Sequence, residues 1–525
     1  MQIDRSRNSV RNMISGVFSQ LITLVMPFVI RTIIIYSLGD EFVGANSLFG
    51  SILQVLSLAE LGFATAMVFS MYKPIAEDNV ELVCALLKLY RNVYRVIGLV
   101  ILAVGLSLMP ALPFIVTGTV PESLNLSVLY LLALFNTVSS YFFFAYKSAL
   151  LTAHARADVS TLITAITCFA QYAVQILVLL HFKNYYAYYI FTPVFTILAN
   201  LLRSKAVDIL YPQYACRGRV DKASLSVIKK NVGGLFLQRI GSVVVNSTDV
   251  IVISIFFENS LKEVALYNNY YFIMNAVSGF LIVVYNSISA VIGNAIVTKS
   301  KEDNYKDFSK FTFLNLWIVG WCTVCLFTLY QHFMMIWMGQ RLYDGLWTVA
   351  LFSFYFFLYR SRALVSSYKS AAGIFWQDRW RSVLSSLLNI LLDVVLVQFW
   401  GVNGILIATI VSMLFVDVPW ETAMLFRLYF KRSAKEFYGY QLFYFAITVL
   451  AIVVTYLTCS LFPMPTVGAE RELASFVWLF VKACVCLVVP NLVFFLCYSR
   501  LRVYREGVAF IKNYLNRRNH HARTE

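Results

Sequence analysis

Charge is what this sequence has least of. Asp, Glu, Lys and Arg together make up 13% of its 525 residues, against roughly a quarter in an ordinary soluble domain. A chain this long and this poor in charge cannot cover a water-facing surface, which excludes a large soluble globular protein. Catalytic signatures are missing too: there is no phosphate-binding Gly-Lys loop, no Gly-x-Ser-x-Gly, no His-Glu-x-x-His and no dinucleotide fingerprint. Acidic residues are sparse in the loops, which argues against a metal-dependent membrane glycosyltransferase. The expectation is a protein that is not an enzyme and has no cofactor. The nine cysteines form no framework. Cys322-Thr-Val-Cys325 has the spacing of a redox or zinc pair, but no second pair accompanies it and only His332 lies nearby, so small packing residues and no metal site are expected. A cleavable leader is excluded as well. The first apolar run, 13–36, is too long, is interrupted by Arg31 and leads into Leu38-Gly39-Asp40-Glu41 with no small-residue cleavage pattern.

What the chain does have is hydrophobic residues, 60% of the total, gathered into long runs. In lipid only helices or closed barrels satisfy every backbone donor and acceptor, and continuous runs of about 20 residues select helices. The runs fall at 13–36, 43–70, 96–116, 125–149, 159–181, 185–202, 232–257, 267–296, 311–331, 346–367, 383–400, 404–426, 441–462 and 474–498. The fold class expected is therefore all-α integral membrane, with about 14 transmembrane helices. Of the 43 lysines and arginines, 34 lie on one side of these spans, four on the other and five inside them. This asymmetry puts the basic side, with both termini, in the cytoplasm. The net charge of +16 thus reads as orientation and attraction to anionic lipid, and no nucleic-acid partner is expected. Residues 80–91 and the 505–518 tail look amphipathic and are expected to lie on the membrane surface; His520-His521 reads as plain tail.

A duplication is visible. Gly16-Val-Phe18-Ser-Gln20 matches Gly234-Leu-Phe236-Leu-Gln238 at an offset of 218, and eleven residues on come Arg31 and Asp249. Tyr146-Lys147-Ser148-Ala149 matches Tyr368-Lys369-Ser370-Ala371 at an offset of 222. The organisation expected is a six-helix lobe (1–210), a cytoplasmic linker (211–230), a second six-helix lobe (231–430), helices 13 and 14 (431–500) and a basic tail (501–525). Six is even, so the repeats are parallel and the transport path is expected between lobes.

A charge at the bilayer centre costs roughly 2.5–3.5 kcal/mol on insertion scales, so charges kept inside spans are candidates for function. Six basic residues are set against three acidic ones. Arg360 and Arg362, near mid-span, are expected with Arg239 and Arg31 to bind an anionic substrate group, because guanidinium forks suit phosphate. Arg31 and Asp249, at equivalent repeat positions, are also expected to pair as an outer gate. Glu60, Asp249 and Asp393 are candidates for gating or ion coupling, against the plainer reading that they balance nearby arginines or hydrogen-bond between helices. Lys147 and Lys369, at the inner mouth, are as well explained by snorkelling.

Several stretches resemble the bacterial polysaccharide flippases, which move undecaprenyl-linked oligosaccharides within the multidrug/oligosaccharidyl-lipid/polysaccharide exporter superfamily. They are Leu24 to Arg31 leading to Leu38-Gly39-Asp40-Glu41-Phe42-Val43-Gly44, Leu56-Ser57-Leu58-Ala59-Glu60-Leu61-Gly62, Tyr72-Lys73-Pro74-Ile75-Ala76-Glu77, Tyr267-Asn268-Asn269-Tyr270-Tyr271, Ile336-Trp337-Met338-Gly339 and Gly401-Val402-Asn403-Gly404. Tyr359-Arg360-Ser361-Arg362 departs from that pattern by adding charge to helix 10. The resemblance implies a V-shaped, two-lobe, monomeric flippase of the bacterial cytoplasmic membrane with an electropositive cavity. Its substrate would be an undecaprenyl-pyrophosphate oligosaccharide, and its partners membrane lipids and the glycosyltransferases and polymerase of capsule or exopolysaccharide assembly. An ion-coupled drug or metabolite exporter and a lipid II flippase are the alternatives.

Overall fold

A computed structural model describes residues 5–60, 63–117, 120–154, 156–342, 344–374, 377–463 and 473–507. Among them the only regular structure is helix. By internal packing the chain forms two units, Met1–Asn268 and Asn269–Glu525.

The first unit holds α1 (Arg5–Ser37), α2 (Asp40–Leu56), α3 (Phe63–Ala76), α4 (Val80–Leu108), α5 (Leu112–Ile115), α6 (Leu126–Phe142), α7 (Ser148–Ala153), α8 (Ala157–Phe182), α9 (Tyr185–Leu210) and α10 (Lys222–Phe256). Its starts are written into the loops. Asn79, Asn125, Asn184 and Asp221 each accept the backbone N–H three residues on, at 2.9–3.1 Å, meeting an otherwise orphan donor at a helix N-terminus. α1 packs on α8, α4 on α6, and α10 on α2 and α3. A further helix, α11 (Ser260–Thr298), begins in this unit and approaches α2 closely: a Cβ on Gly44 would lie 1.9 Å from the Leu261 carbonyl oxygen, so the crossing requires glycine. The packing boundary thus falls inside α11, beyond the repeat boundary near 231. A repeat records duplication and a unit records contacts, and α10 contacts α2 and α3.

The second unit continues α11 and adds α12 (Lys301–Met338), α13 (Leu346–Ser361), α14 (Ala363–Ala371), α15 (Arg379–Ser412), α16 (Val418–Met424), α17 (Lys435–Ser460) and α18 (Leu473–Tyr498). α12 is its centre, packed on α13, α17 and α18. The two C-terminal helices therefore build the core of this unit. An aromatic-rich cluster including Phe308, Tyr368, Phe426, Phe430 and Phe437 closes one end.

Each of the fourteen apolar runs lies on helix. Among the described residues eight helices are long and apolar enough to cross a bilayer, nine if a bent pair counts as one. One of the eight, Arg379–Phe430, would be roughly 78 Å long at 1.5 Å per residue, far beyond a hydrocarbon core of about 30 Å. It is broken at Gly401, where φ is 57° and ψ −139°, which is the expected link between two runs.

Besides the 3₁₀ turn Met109–Ala111 in the third run and the π-helical segment Met413–Asp417 in the twelfth, three further runs expected to be continuous are interrupted. The second passes through a 3₁₀ turn, Ser57–Glu60, between α2 and α3. The fourth bends by 49° between α6 and α7, with Phe144 left-handed at φ 59°. The tenth breaks between α13 and α14 at Arg362. The last two are repeat-equivalent and break just ahead of the matched Tyr-Lys-Ser-Ala. One expectation is corrected: residues 80–91 are not a surface helix but the first turns of α4, continuous with the third span. Val83, Leu86, Leu87 and Tyr90 on that stretch are buried, so its amphipathic face packs on protein. The 508–525 tail lies outside the described residues.

Candidate functional site

Each unit gathers its buried charge differently. In the first, the 3₁₀ turn after α2 delivers Glu60 to a pocket of tyrosines. Tyr141 Oη donates to Glu60 Oε2 at 2.6 Å, Tyr94 Oη donates to Oε1, and Tyr90 Oη donates to Tyr94 Oη at 3.0 Å. Phe63 packs on Tyr90 and Tyr94 at centroid distances of 5.4 and 6.4 Å, and Tyr94 on Tyr141 at 5.3 Å. All three tyrosines are buried. Both carboxylate oxygens are thus held by hydroxyls from α4 and α6, and among the described residues no cation pairs with Glu60. A hydroxyl both donates and accepts, so the partners of Glu60 are neutral hydrogen-bonding groups and not counter-charges.

In the second unit the breaks around Arg362 and Asp417 assemble three cations and three carboxylates. Arg362 contacts Asp417 at 3.1 Å and Glu421 at 3.0 Å. Lys369 donates to Glu421 at 2.7 Å and to Asp378. Arg381 pairs with Asp378 at 3.1 Å and with Asp417, which also accepts from Ser385 at 3.0 Å. Lys369 and Glu421 are each 1% exposed. Asp417 and Glu421 are four residues apart, and Arg362 and Lys369 seven, so each pair shares a helix face. A π-helical segment, Met413–Asp417, precedes the acidic pair. Buried charges are tolerated only when paired and hydrogen-bonded, and here the six charges balance.

The remaining candidates are dispersed. Arg31 Nη1 donates to the Asn268 carbonyl at 3.2 Å and Nη2 to Ser47 Oγ at 3.3 Å. Asp249 accepts from Tyr267 Oη at 2.7 Å. Asp393, fully buried, accepts from Asn389 at 3.3 Å, one turn earlier on the same helix α15. Lys147 pairs with Asp208 at 2.6 Å, so both repeat-equivalent lysines meet carboxylates from neighbouring helices. The Arg239 side chain lies outside the described residues. Arg360 stands apart. It is 8% exposed, its Nε donates to Ser278 Oγ at 3.0 Å, its guanidinium lies 4.6 Å from the Tyr359 ring, and among the described residues no carboxylate is within ion-pair distance.

Asp417 and Glu421 lie inside the 404–426 run and were not counted among its charges, so the basic excess inside the spans is smaller than six against three. Their i, i+4 spacing opposite an i, i+7 basic pair was the available signal. The Tyr90–Tyr94 spacing gave a similar signal for the Glu60 pocket, but hydropathy alone does not reveal that two aromatic hydroxyls converge on one carboxylate.

Several solved structures superpose on this chain. A lipid II flippase, MurJ, in an inward closed conformation superposes with a TM-score of 0.63 at 15% identity, covering 94% of this chain and 99% of its own. An inward-facing multidrug resistance MATE family transporter of the MOP superfamily gives 0.62 at 11%, covering 79% and 98%. A MOP superfamily transporter from Pyrococcus furiosus, described by the reverse polarity of its binding pocket, gives 0.56 at 12%, covering 82% and 97%. No protein-family model and no curated protein matches the sequence. The chain shares with these proteins an all-α, multi-pass membrane fold.

Proposed function

We propose that this protein is a flippase that carries an undecaprenyl-pyrophosphate-linked oligosaccharide across a bacterial cytoplasmic membrane by alternating access. Both termini are cytoplasmic, and the substrate feeds capsule, exopolysaccharide or O-antigen-like assembly. The observation that carries the reading is Arg360: a buried guanidinium whose charge no described carboxylate offsets. A membrane protein keeps such a group where a ligand supplies the anion. Arg362, by contrast, is neutralised by Asp417 and Glu421, which leaves Arg360 as the guanidinium for a pyrophosphate oxygen. Arg31, engaged by neutral oxygens, is the second candidate. The flippase match covers 94% of the chain and the drug-transporter match 79%, which favours the longer, fourteen-helix architecture. Glu60 is the proposed coupling carboxylate, since its partners are hydroxyls and not cations.

The test is reconstitution in vesicles with short-chain lipid-pyrophosphate oligosaccharides, scored for translocation with and without proton and sodium gradients, beside a lipid II analogue and a cationic drug. Translocation of the oligosaccharide lipid above the other two supports the reading. Transport of the drug alone assigns the chain to export, and preference for lipid II changes the substrate.

A further inference from the structure

A stripe of amides and hydroxyls runs through the first unit and shares no residue with the Glu60 pocket. Gln175 of α8 donates to Thr192 Oγ1 of α9 at 3.0 Å and to the Tyr188 carbonyl at 3.2 Å, and accepts from Gln171 at 3.3 Å. Thr196 of α9 donates to Asn136 Oδ1 of α6 at 2.8 Å. Arg203 ends the stripe, donating to Asn200 Oδ1 at 2.8 Å and to Thr164 Oγ1 at 2.7 Å. Thr192, Thr196 and Arg203 share one face of α9, about 16 Å long at 1.5 Å per residue.

Polar groups between membrane helices commonly serve as glue. Two observations set these apart. Asn136, Gln171, Thr192, Thr196 and Arg203 are only half-buried, yet Thr192 and Thr196 stand about 200° round α9 from Ile190 and Val194, which are exposed apolar residues of the lipid-facing surface. A polar face that is open but turned from lipid lines an aqueous space. Hydrogen-bonding groups are also left over. Among the described residues Asn136 Nδ2 and Gln171 Oε1 have no partner, and Thr192 Oγ1 accepts a bond but donates none. Arg203 Nε is buried without a hydrogen bond, and no described carboxylate lies within ion-pair distance of Arg203.

We propose that this stripe is a glycan-binding face, with Asn136, Gln171 and Thr192 bonding sugar hydroxyls and Arg203 taking a phosphate oxygen of the carrier lipid. The inference rests on the flippase reading and adds where the sugars are held. A sugar hydroxyl donates and accepts at once, which matches a face offering an amide N–H, an amide carbonyl and a hydroxyl. A guanidinium bonded only to neutral oxygens keeps its whole charge for a phosphate. Arg203 lies about 10 Å before the end of α9, on the side of the basic loops, from which a phosphate in the inner leaflet enters.

The experiment titrates the full chain in nanodiscs with two probes, a short-chain lipid pyrophosphate bearing an uncharged oligosaccharide and the same lipid pyrophosphate without sugars. The wild type is expected to bind the first about tenfold more tightly, the size of one or two added hydrogen bonds. Q171L/T192V is expected to bring that ratio close to one and leave the sugar-free lipid unchanged, whereas T192S, which keeps the hydroxyl, retains the wild-type ratio. R203M is expected to weaken both lipids by about tenfold and to leave the ratio between them. An unchanged ratio in Q171L/T192V overturns the glycan face, and equal weakening of both lipids by that variant overturns it in favour of helix packing. Undiminished binding of the sugar-free lipid by R203M overturns the role of Arg203. If the wild type binds neither lipid, the flippase reading fails and the glycan face with it.

Discussion

The two units hold a carboxylate inside the fold in opposite ways. Glu60 is held by two tyrosine hydroxyls and, among the described residues, faces no cation, whereas Glu421 is locked between Arg362 and Lys369. The first arrangement gives the charge of the site no counter-charge among the described residues, because the ligands of the acid are neutral hydroxyls. The second fixes the charge, because protonating one carboxylate would strand a buried cation. A carboxylate without a counter-charge suits coupling, and a fixed network suits a hinge that must not drift, here the broken α13–α14 segment tied to α15 and α16.

The contrast breaks most visibly at Glu421. E421A strands Arg362 and Lys369 and is expected to destabilise the folded protein by about 3–5 kcal/mol, read as a loss of monodisperse protein or a large fall in thermal midpoint in detergent. The neutral double variant K369M/D378N removes one cation and one anion together and is expected to be milder than E421A, at about 2 kcal/mol or less. If the double variant is the worse of the two, charge balance is not what holds the network. E60Q is expected to cost only about 1 kcal/mol of stability, since an amide oxygen still accepts one hydroxyl. It should nevertheless remove the response of transport to an imposed proton gradient, measured in reconstituted vesicles. Y141F is the smallest change, about 0.5–1.5 kcal/mol, and should weaken that response without abolishing it.

Much of this was legible in the sequence. Hydropathy located the all-helical, multi-pass character, and Gly401-Val402-Asn403 was read as the link that the φ of Gly401 makes it. The interruptions at Ser57–Glu60, Phe144 and Arg362 were not legible, because hydropathy sums side chains while a break is a backbone event that leaves the run apolar. Lys147 and Lys369 were recognised as equivalents, but their partners Asp208 and Glu421 lie 61 and 52 residues away, a separation no periodicity reports. The difference between Arg360 and Arg362 was equally invisible. Arg360 is on α13 and Arg362 at the break before α14, and only the neighbouring helices decide which one meets carboxylates.

That difference can be measured directly. Translocation of a short-chain lipid-pyrophosphate oligosaccharide is compared between wild type and R360M at equal amounts of folded protein, alongside the matching lipid monophosphate. The expected result is a fall of at least about tenfold for R360M on the pyrophosphate substrate, with a smaller difference on the monophosphate. Equal rates for wild type and R360M on both substrates would contradict the assignment of Arg360 to the anionic headgroup.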